Sequence, residues 1–400
     1  MGEWREVKIG DITNLYQGLA INKKTNYLLV EKSALPLLRI KDLQENTEEF
    51  FINDKEAPKK CIANENDLIF TRTGIVGKVF MGKKGVVHNN CFRIVSKNDD
   101  VYLPFYYHYF NRENMRDYLT NISAGSVQPD MNHTIFKTVK VPFPPLKEQK
   151  AIAQVLSSLD DKIDFLHRQN KTLEEMAQTL FRQWFINGNG TLVPSKGEAK
   201  ASLPNEWEVG VLDDILTVKG GTTPSTKNDE YWNGSICWST PKDLSLNSDM
   251  YLFDTARKIT ESGLAKIGSG LLPKGTILLS SRAPVGYLAI VEVPLAINQG
   301  YIAILDDKDF SKYFIFLWLR LNMKYIISNA NGSTFLEISK TVFKSLEITK
   351  PPKELRKKFD EIVIDNFEKI KVNTKQIKTL ENLRDTLIPK LMSGDVRVKL

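Results

Sequence analysis

Cysteine and histidine are scarce in this chain, with three of one and four of the other in 400 residues. Cys61, Cys91 and Cys237 are scattered and show none of the paired spacing of a zinc site. They predict a reduced, cytosolic compartment and no structural metal. His88, His108, His133 and His167 are isolated, with surface or core roles as the default. Long apolar runs are missing too. The opening MGEWREVKIGDI has no apolar core of signal-peptide length. The most apolar stretch, Phe314 to Ile327, is broken by Arg320 and Lys324, so no membrane span is expected. Nucleotide chemistry leaves no trace: there is no Walker-type loop and no G-x-G-x-x-G. Val141-Pro142-Phe143-Pro144-Pro145 lacks the Asn of the Asn-Pro-Pro-aromatic tetrapeptide of an amino-methyltransferase. Asp213-Asp214 falls in an amphipathic opening segment and reads as a helix start or surface pair. These absences predict a chain that catalyses nothing alone and holds no metal or cofactor.

What is present is a pair of long amphipathic segments. From Ile152, steps alternating between four and three reach Leu156, Leu159, Ile163, Leu166, Asn170, Leu173, Ala177, Leu180 and Trp184. All but Asn170 are apolar, the spacing that keeps one helix seam against a partner helix. Pro144-Pro145 fits the start and Asn187-Gly188 the stop. A helix over 144–186 is a rod on the order of 60 Å long. The same pattern recurs at an offset of 207 residues, as Phe359, Val363, Asn366, Ile370, Asn373, Ile377, Leu380, Arg384, Leu387 and Leu391. Pro144-Pro145 recurs as Pro351-Pro352, and Lys171-Thr172-Leu173 as Lys378-Thr379-Leu380. A fixed offset over some forty residues is an internal repeat. The polar interruptions cost stability but specify register and orientation.

The repeat extends beyond the helices. Trp4, Ile9, Asp11 and Ile12 recur as Trp207, Leu212, Asp214 and Ile215, and Lys41-Asp42-Leu43 as Lys242-Asp243-Leu244. Ile69-Phe70-Thr71-Arg72 recurs as Leu278-Leu279-Ser280-Ser281-Arg282. Ala124-Gly125-Ser126 and Phe136-Lys137 recur as Asn331-Gly332-Ser333 and Phe343-Lys344. The predicted organisation is a globular domain over 1–143, a helix over 144–186, a linker over 187–204, a second globular domain over 205–350, a second helix over 351–393 and a tail over 394–400. Each globular part is expected to be α/β or α+β. Cys91 to Val95 and Thr276 to Leu279 read as strands, and Phe105 to Tyr118 and Lys312 to Asn329 as helical.

Length allows two or three domains, and 42% hydrophobic residues are ample for packed cores. The net charge of +7 and pI near 9.0 favour a polyanionic partner. Polar, basic loops lie at comparable places in both halves. Gly220-Gly221-Thr222-Thr223-Pro224-Ser225-Thr226-Lys227 and the segment through Thr240 and Lys242 suit phosphate contacts through backbone N–H, hydroxyl and ammonium groups. Arg72 and Arg282 follow the hydroxyl residues Thr71 and Ser281 at strand ends, where a guanidinium can fork onto guanine or a phosphate. Asn89-Asn90 and Asn298-Gln299 carry amides suited to adenine. Lys23, Lys24, Ser126, Gln128 and Ser333 complete the candidate set. The bland alternative for each is structural: a turn, a surface ion pair or a strand-end cap.

GGTTPSTKNDEYWNGSICWSTPKDL (220–244), the Trp-x4-hydrophobic-x-Asp-Ile opening of each half and the paired Pro-Pro helices resemble the specificity subunit of type I restriction-modification systems. The resemblance covers the whole chain. It implies two target recognition domains that each read one half of a split, asymmetric DNA site. It implies two long helices packed antiparallel as a coiled coil on a pseudo-twofold frame. It also implies two modification subunits that bind S-adenosylmethionine and methylate adenine N6, and motor-nuclease subunits using ATP and Mg²⁺. The first half departs from the Gly-Gly-Thr-Thr-Pro pattern, with Gln17-Gly18-Leu19-Ala20-Ile21-Asn22-Lys23-Lys24, which implies a different half-site. Two rivals remain: a stand-alone nuclease or methyltransferase, and a protein-binding scaffold whose two domains sit on a coiled-coil spacer.

Overall fold

Two short strand sequences, Leu68-Ile69-Phe70-Thr71 and Ile277-Leu278-Leu279-Ser280, are apolar on both faces, and in the computed structural model each is buried throughout. The structure describes residues 4–123, 129–186, 206–245, 249–306, 308–332 and 336–399. Each of the two strands lies at the middle of a sheet covered on both sides. Leu68 and Phe70 enter the core shared with the helices, while Ile69 enters the layer of Leu38, Val87 and Cys91. Ile277 and Leu279 split from Leu278 in the same way. The two-residue period of a strand delivers alternate side chains to the two cores.

The first domain has a four-stranded sheet in the order Thr13–Gln17, Cys91–Ser96, Leu68–Thr71, Val79–Phe80. A three-stranded sheet of Leu37–Leu38, Gly85–Val87 and Ile62–Ala63 packs nearby. The second domain repeats this with five strands, Thr217–Gly220, Tyr301–Leu305, Ile277–Ser280, Leu288–Val291 and Tyr251–Leu252. Its smaller sheet holds Arg257–Ile259, Trp232–Ser239 and Leu295–Ile297. In both domains the opening strand pairs antiparallel with the strand preceding the long helix, Arg5–Lys8 with Lys140–Phe143 and Glu208–Val211 with Glu347–Lys350. The expected strands are present, as Cys91–Ser96 and Ile277–Ser280.

The two expected domain helices are each broken in two. Leu103–Phe110 is followed by Glu113–Ile122, and Lys312–Leu321 by Met323–Ser328. Asparagine makes both breaks. Asn111 turns its amide onto Val79, accepting from the backbone N–H at 3.1 Å and donating to the carbonyl at 2.9 Å. Asn322 donates to the Trp318 carbonyl at 2.9 Å. Asn322 thus competes for the backbone of its own helix, while the Asn111 amide is drawn to a neighbouring strand.

The long helices run Leu146–Phe185 and Lys353–Ser393, so both proline pairs precede the helix rather than occupy its first turn. The chain divides into two compact units, Met1–Ile163 with Leu380–Leu400, and Asp164–Thr379, so each unit takes a part of both helices. In the first unit, Ile152, Ala153 and Leu156 share a core with Leu391 and Met392, and Arg384 Nη1 donates to Asp160 Oδ1 at 3.0 Å. In the second unit, Phe181 and Phe185 meet Phe359, and Asn373 Nδ2 lies 2.8 Å from both Gln169 Oε1 and Asn170 Oδ1. Higher numbers on one helix meet lower numbers on the other, so the helices pack antiparallel.

Of the expected seam, Ile152, Leu156, Ile163, Leu166, Phe359, Val363, Ile370 and Ile377 are buried. Leu159, Leu173, Leu180, Leu380 and Leu387 are half-buried. Phe181, Phe185 and Phe367 lie outside the seam and are buried as well, because the domain core covers the flank of each helix. Among the described residues, no helix is long and apolar enough to cross a membrane.

Candidate nucleic-acid interface

The turn after the central strand is built the same way twice. The buried Thr71 hydroxyl donates to the Ile75 carbonyl and accepts from Lys78 N at 3.0 Å. Ser280 Oγ donates to the Pro284 carbonyl at 2.8 Å and accepts from Tyr287 N at 2.7 Å. Thr71 and Ser281 are 0% and 4% exposed, so neither offers its hydroxyl to a ligand. The turns themselves use the Thr71 and Ser280 hydroxyls.

Two further loops close against that turn. Gly18 and Gly221 press on the loop after the short strand: a Cβ there would lie 2.2 Å from the His88 carbonyl oxygen or 1.9 Å from that of Ile297. Only glycine permits this approach. Leu19 N then donates to Val87 O, and Thr222 N to Ile297 O. Arg72 N donates to Asn90 O at 2.9 Å, and Ser281 N to Gly300 O at 2.8 Å. These matching bonds define which residues are equivalent, and the sequence pairing is one residue out of step. Arg72 matches Ser281, and Thr73 matches Arg282. His88 and Asn89 match Asn298 and Gln299, while Asn90 matches Gly300. Loops of unequal length between the strands shift the 207-residue offset that holds in the helices.

The two arginines are therefore in different situations. Arg72 forks onto Asp130, with Nε to Oδ1 at 2.8 Å and Nη2 to Oδ2 at 2.5 Å, and its Nη1 donates to Gln17 Oε1 at 3.2 Å. Gln17 in turn donates to the Asn89 carbonyl at 2.7 Å. Among the described residues Arg282 has a loose pairing alone, 4.0 Å to Glu337, with 38% of its side chain exposed.

In the second domain, Thr223 Oγ1 donates to Gln299 Oε1 at 2.7 Å, and Thr222 Oγ1 to the Lys266 carbonyl at 3.2 Å. Asn298 N donates to Ser239 O, and Tyr301 OH donates to the Thr240 carbonyl at 2.6 Å. Thr240 also caps the next short helix through Asp243, which draws its hydroxyl to 3.1 Å. These bonds bring Thr222, Thr223, Thr240, Ser281, Arg282, Asn298 and Gln299 together. Ser225, Lys227 and Lys242 stay exposed on the adjoining loops. Arg72, Asn89 and Asn90 come together in the first domain, whereas Lys23 and Lys24 sit exposed on a separate turn ordered by Asn22. Ser126, Gln128 and Ser333 lie outside the described residues.

Sequence reasoning missed His88, Gln17, Asp130 and Glu337. His88 was grouped with isolated histidines, and its signal was its place one residue before Asn89. Burial, then the Arg39 guanidinium, hold its pKa below the usual histidine range. Arg257, also missed, lies 3.6 Å over the Trp232 ring. Asp213 and Asp214 are surface groups that pair with Lys344 and Lys350. Among the described residues no cluster of His, Cys, Asp or Glu could hold a metal ion.

Comparison with known proteins gives consistent matches. Residues 1–175 and 204–382 each match the type I restriction modification DNA specificity domain. The chain is 30% identical over 423 aligned positions to the specificity subunit of type I restriction enzyme MjaIX of Methanocaldococcus jannaschii, covering 99% of this chain and 94% of that one. It is 23% identical to the HindI specificity subunit of Haemophilus influenzae, over 99% and 100% of the two chains. A crystal structure of a type I restriction-modification S subunit from M. genitalium superposes with a TM-score of 0.64 at 16% identity, covering 98% of this chain and 96% of that one. The likeness to that structure concerns the fold.

Proposed function

Because the chain belongs to the DNA specificity subunits of type I restriction-modification systems, and is a non-catalytic member of such a complex, we propose that it reads a bipartite, asymmetric double-stranded DNA site. Residues 1–143 read one half and 205–350 the other, and the paired long helices set the unread interval between them. The chain thereby directs adenine methylation by two modification subunits carrying S-adenosylmethionine, and restriction by motor-nuclease subunits using ATP and Mg²⁺, in the cytoplasm. One observation carries this reading. The same three-loop cluster is built twice by the same backbone bonds, yet it presents Gln17, Arg72 and Asp130 in one domain and Gly220, Ser281 and Glu337, with Arg282 beside them, in the other. A conserved frame carrying unlike polar groups suits two readers of two sequences.

The test is to express the chain with its methyltransferase partner and map methylated adenines. A motif of two specific halves around a fixed unspecified interval supports the reading. Methylation without such a motif, or DNA-independent binding of proteins to both domains, supports the scaffold instead.

A further inference from the structure

His88 and Asn298 hold one position of the duplicated loop, immediately after the strands Gly85–Val87 and Leu295–Ile297. Their backbone N–H groups bind matching carbonyls, Leu38 at 3.2 Å and Ser239 at 3.0 Å. Their side chains also make the same bond. His88 Nδ1 accepts from Asn90 N at 3.3 Å, and Asn298 Oδ1 accepts from Gly300 N at 2.9 Å. An imidazole and a carboxamide are unlike chemically, yet each commits its acceptor atom to the backbone N–H two residues on.

What each has left is a donor. A neutral imidazole whose Nδ1 accepts carries its proton on Nε2. Burial and the nearby Arg39 guanidinium keep that ring neutral. Asn298 keeps the two N–H bonds of Nδ2, while its oxygen is engaged. Neither His88 Nε2 nor Asn298 Nδ2 has a protein partner among the described residues, and neither is sealed from solvent. Gly18 and Gly221 close on these loops from one side, and the Arg72 and Ser281 N–H groups hold them from another. The donors are therefore held in place before any ligand arrives.

We propose that His88 in the first domain and Asn298 in the second are matched hydrogen-bond donors, each reading an acceptor on a base edge of its own half-site. The acceptor is purine N7, guanine O6 or thymine O4 in the major groove. This rests on the split-site reading above. Phosphates are bound mainly by charged donors, whereas these two are neutral, rigid and flanked by the amides of Asn89 and Gln299. The engaged oxygen of Asn298 also argues against the two-point adenine contact that a free amide makes.

The matched geometry supplies its own controls. His88→Asn places Oδ1 where Nδ1 was and keeps a donor. His88→Asp keeps the acceptor for Asn90 N but has no donor, and His88→Ala removes both. Each variant is expressed as the full chain with its methyltransferase partner, the methylated motif is mapped, and binding to duplexes carrying 7-deazapurines across the first half-site is measured. His88→Asn, whose Nδ2 falls at the Cδ2 position and not at that of Nε2, should read the same position less sharply than the wild type. His88→Ala and His88→Asp should relax one position of the first half-site, by about tenfold in discrimination, with the second half-site still read. Asn298→Ala should do the converse. The unaffected half-site in each preparation shows that the protein is folded. Two results overturn the assignment: an unchanged motif in His88→Ala, or equal weakening on all sequences. Absence of any bipartite motif in the wild type overturns the split-site reading itself, so the two failures are distinguishable.

Discussion

A guanidinium already forked onto a carboxylate has few N–H bonds left for a ligand. Arg72 is in that state, bound by Asp130 and Gln17, while Arg282 is held only loosely by Glu337. Arg282→Ala should therefore weaken or alter recognition of the second half-site alone, by ~1–3 kcal/mol if the side chain reads a base. Binding assays on duplexes varied in one half at a time would check this, and equal loss on every sequence would make Arg282 a phosphate contact. Arg72→Ala should lower the melting temperature more than Arg282→Ala, because it strands Asp130 and Gln17.

A second residue-scale effect concerns pH. His108 is buried, with Nε2 3.1 Å from Ser157 Oγ and Nδ1 3.6 Å from Asp160. Burial pushes its pKa down to about 4, with Asp160 opposing and Arg384 adding to the shift. The unfolded chain thus binds a proton here below about pH 6.5 that the folded chain refuses until about pH 4. Stability from this group is complete above the unfolded value and is lost as pH falls through that window. Urea midpoints at pH 7 and pH 5 should fall further apart in the wild type than in His108→Gln.

Among the elements, the long helices combine tight packing with deliberate polarity. Phe359 is fully buried among Phe181, Trp184 and Phe185, so Phe359→Ala should cost ~3–5 kcal/mol in chemical denaturation. Asn373 is fully buried too, and its Nδ2 is shared between Gln169 and Asn170, while its own oxygen has no partner among the described residues. A buried amide pair of this kind costs stability and excludes other alignments of the helices. The double variant Asn170→Leu, Asn373→Leu should resist denaturant better and methylate a motif with less uniform spacing. A single sharp spacing in that variant would show that the aromatic contacts alone hold the register. The central strands follow a simpler rule: both faces are covered, so both must be apolar.

At the scale of the whole molecule, the proposed split-site reading makes the helices a measure of length. One inserted turn of four residues adds about 6 Å, close to two base pairs at ~3.4 Å each. A variant lengthened by one turn in a long helix should methylate a motif with a longer unread interval and unchanged specific halves. Methylation mapping reads this directly, and an unchanged interval would count against the helices as the spacer. The Trp4 indole and the Arg397 guanidinium both bind Glu148 within the first unit, at 2.7 and 2.8–2.9 Å. Arg397 thus ties the tail to the start of the first long helix.

The duplication, the two helices and their seam were legible because periodic burial leaves a periodic sequence, and a copied helix keeps its length. That Asn170 and Asn373 interrupt the seams was legible for the same reason, whereas their meeting in one layer was not. Which loop residues stand together was not. Bonds between distant segments bring them together, and loops of unequal length shift the offset, so Arg72 matches Ser281 and His88 matches Asn298 only in three dimensions. Sequence determined that the domain is present twice and that its two copies differ in their loops. Tertiary structure decided which side chains are spent on the frame and which are left for a ligand, because a hydrogen-bonding group used by the fold has no mark in the sequence.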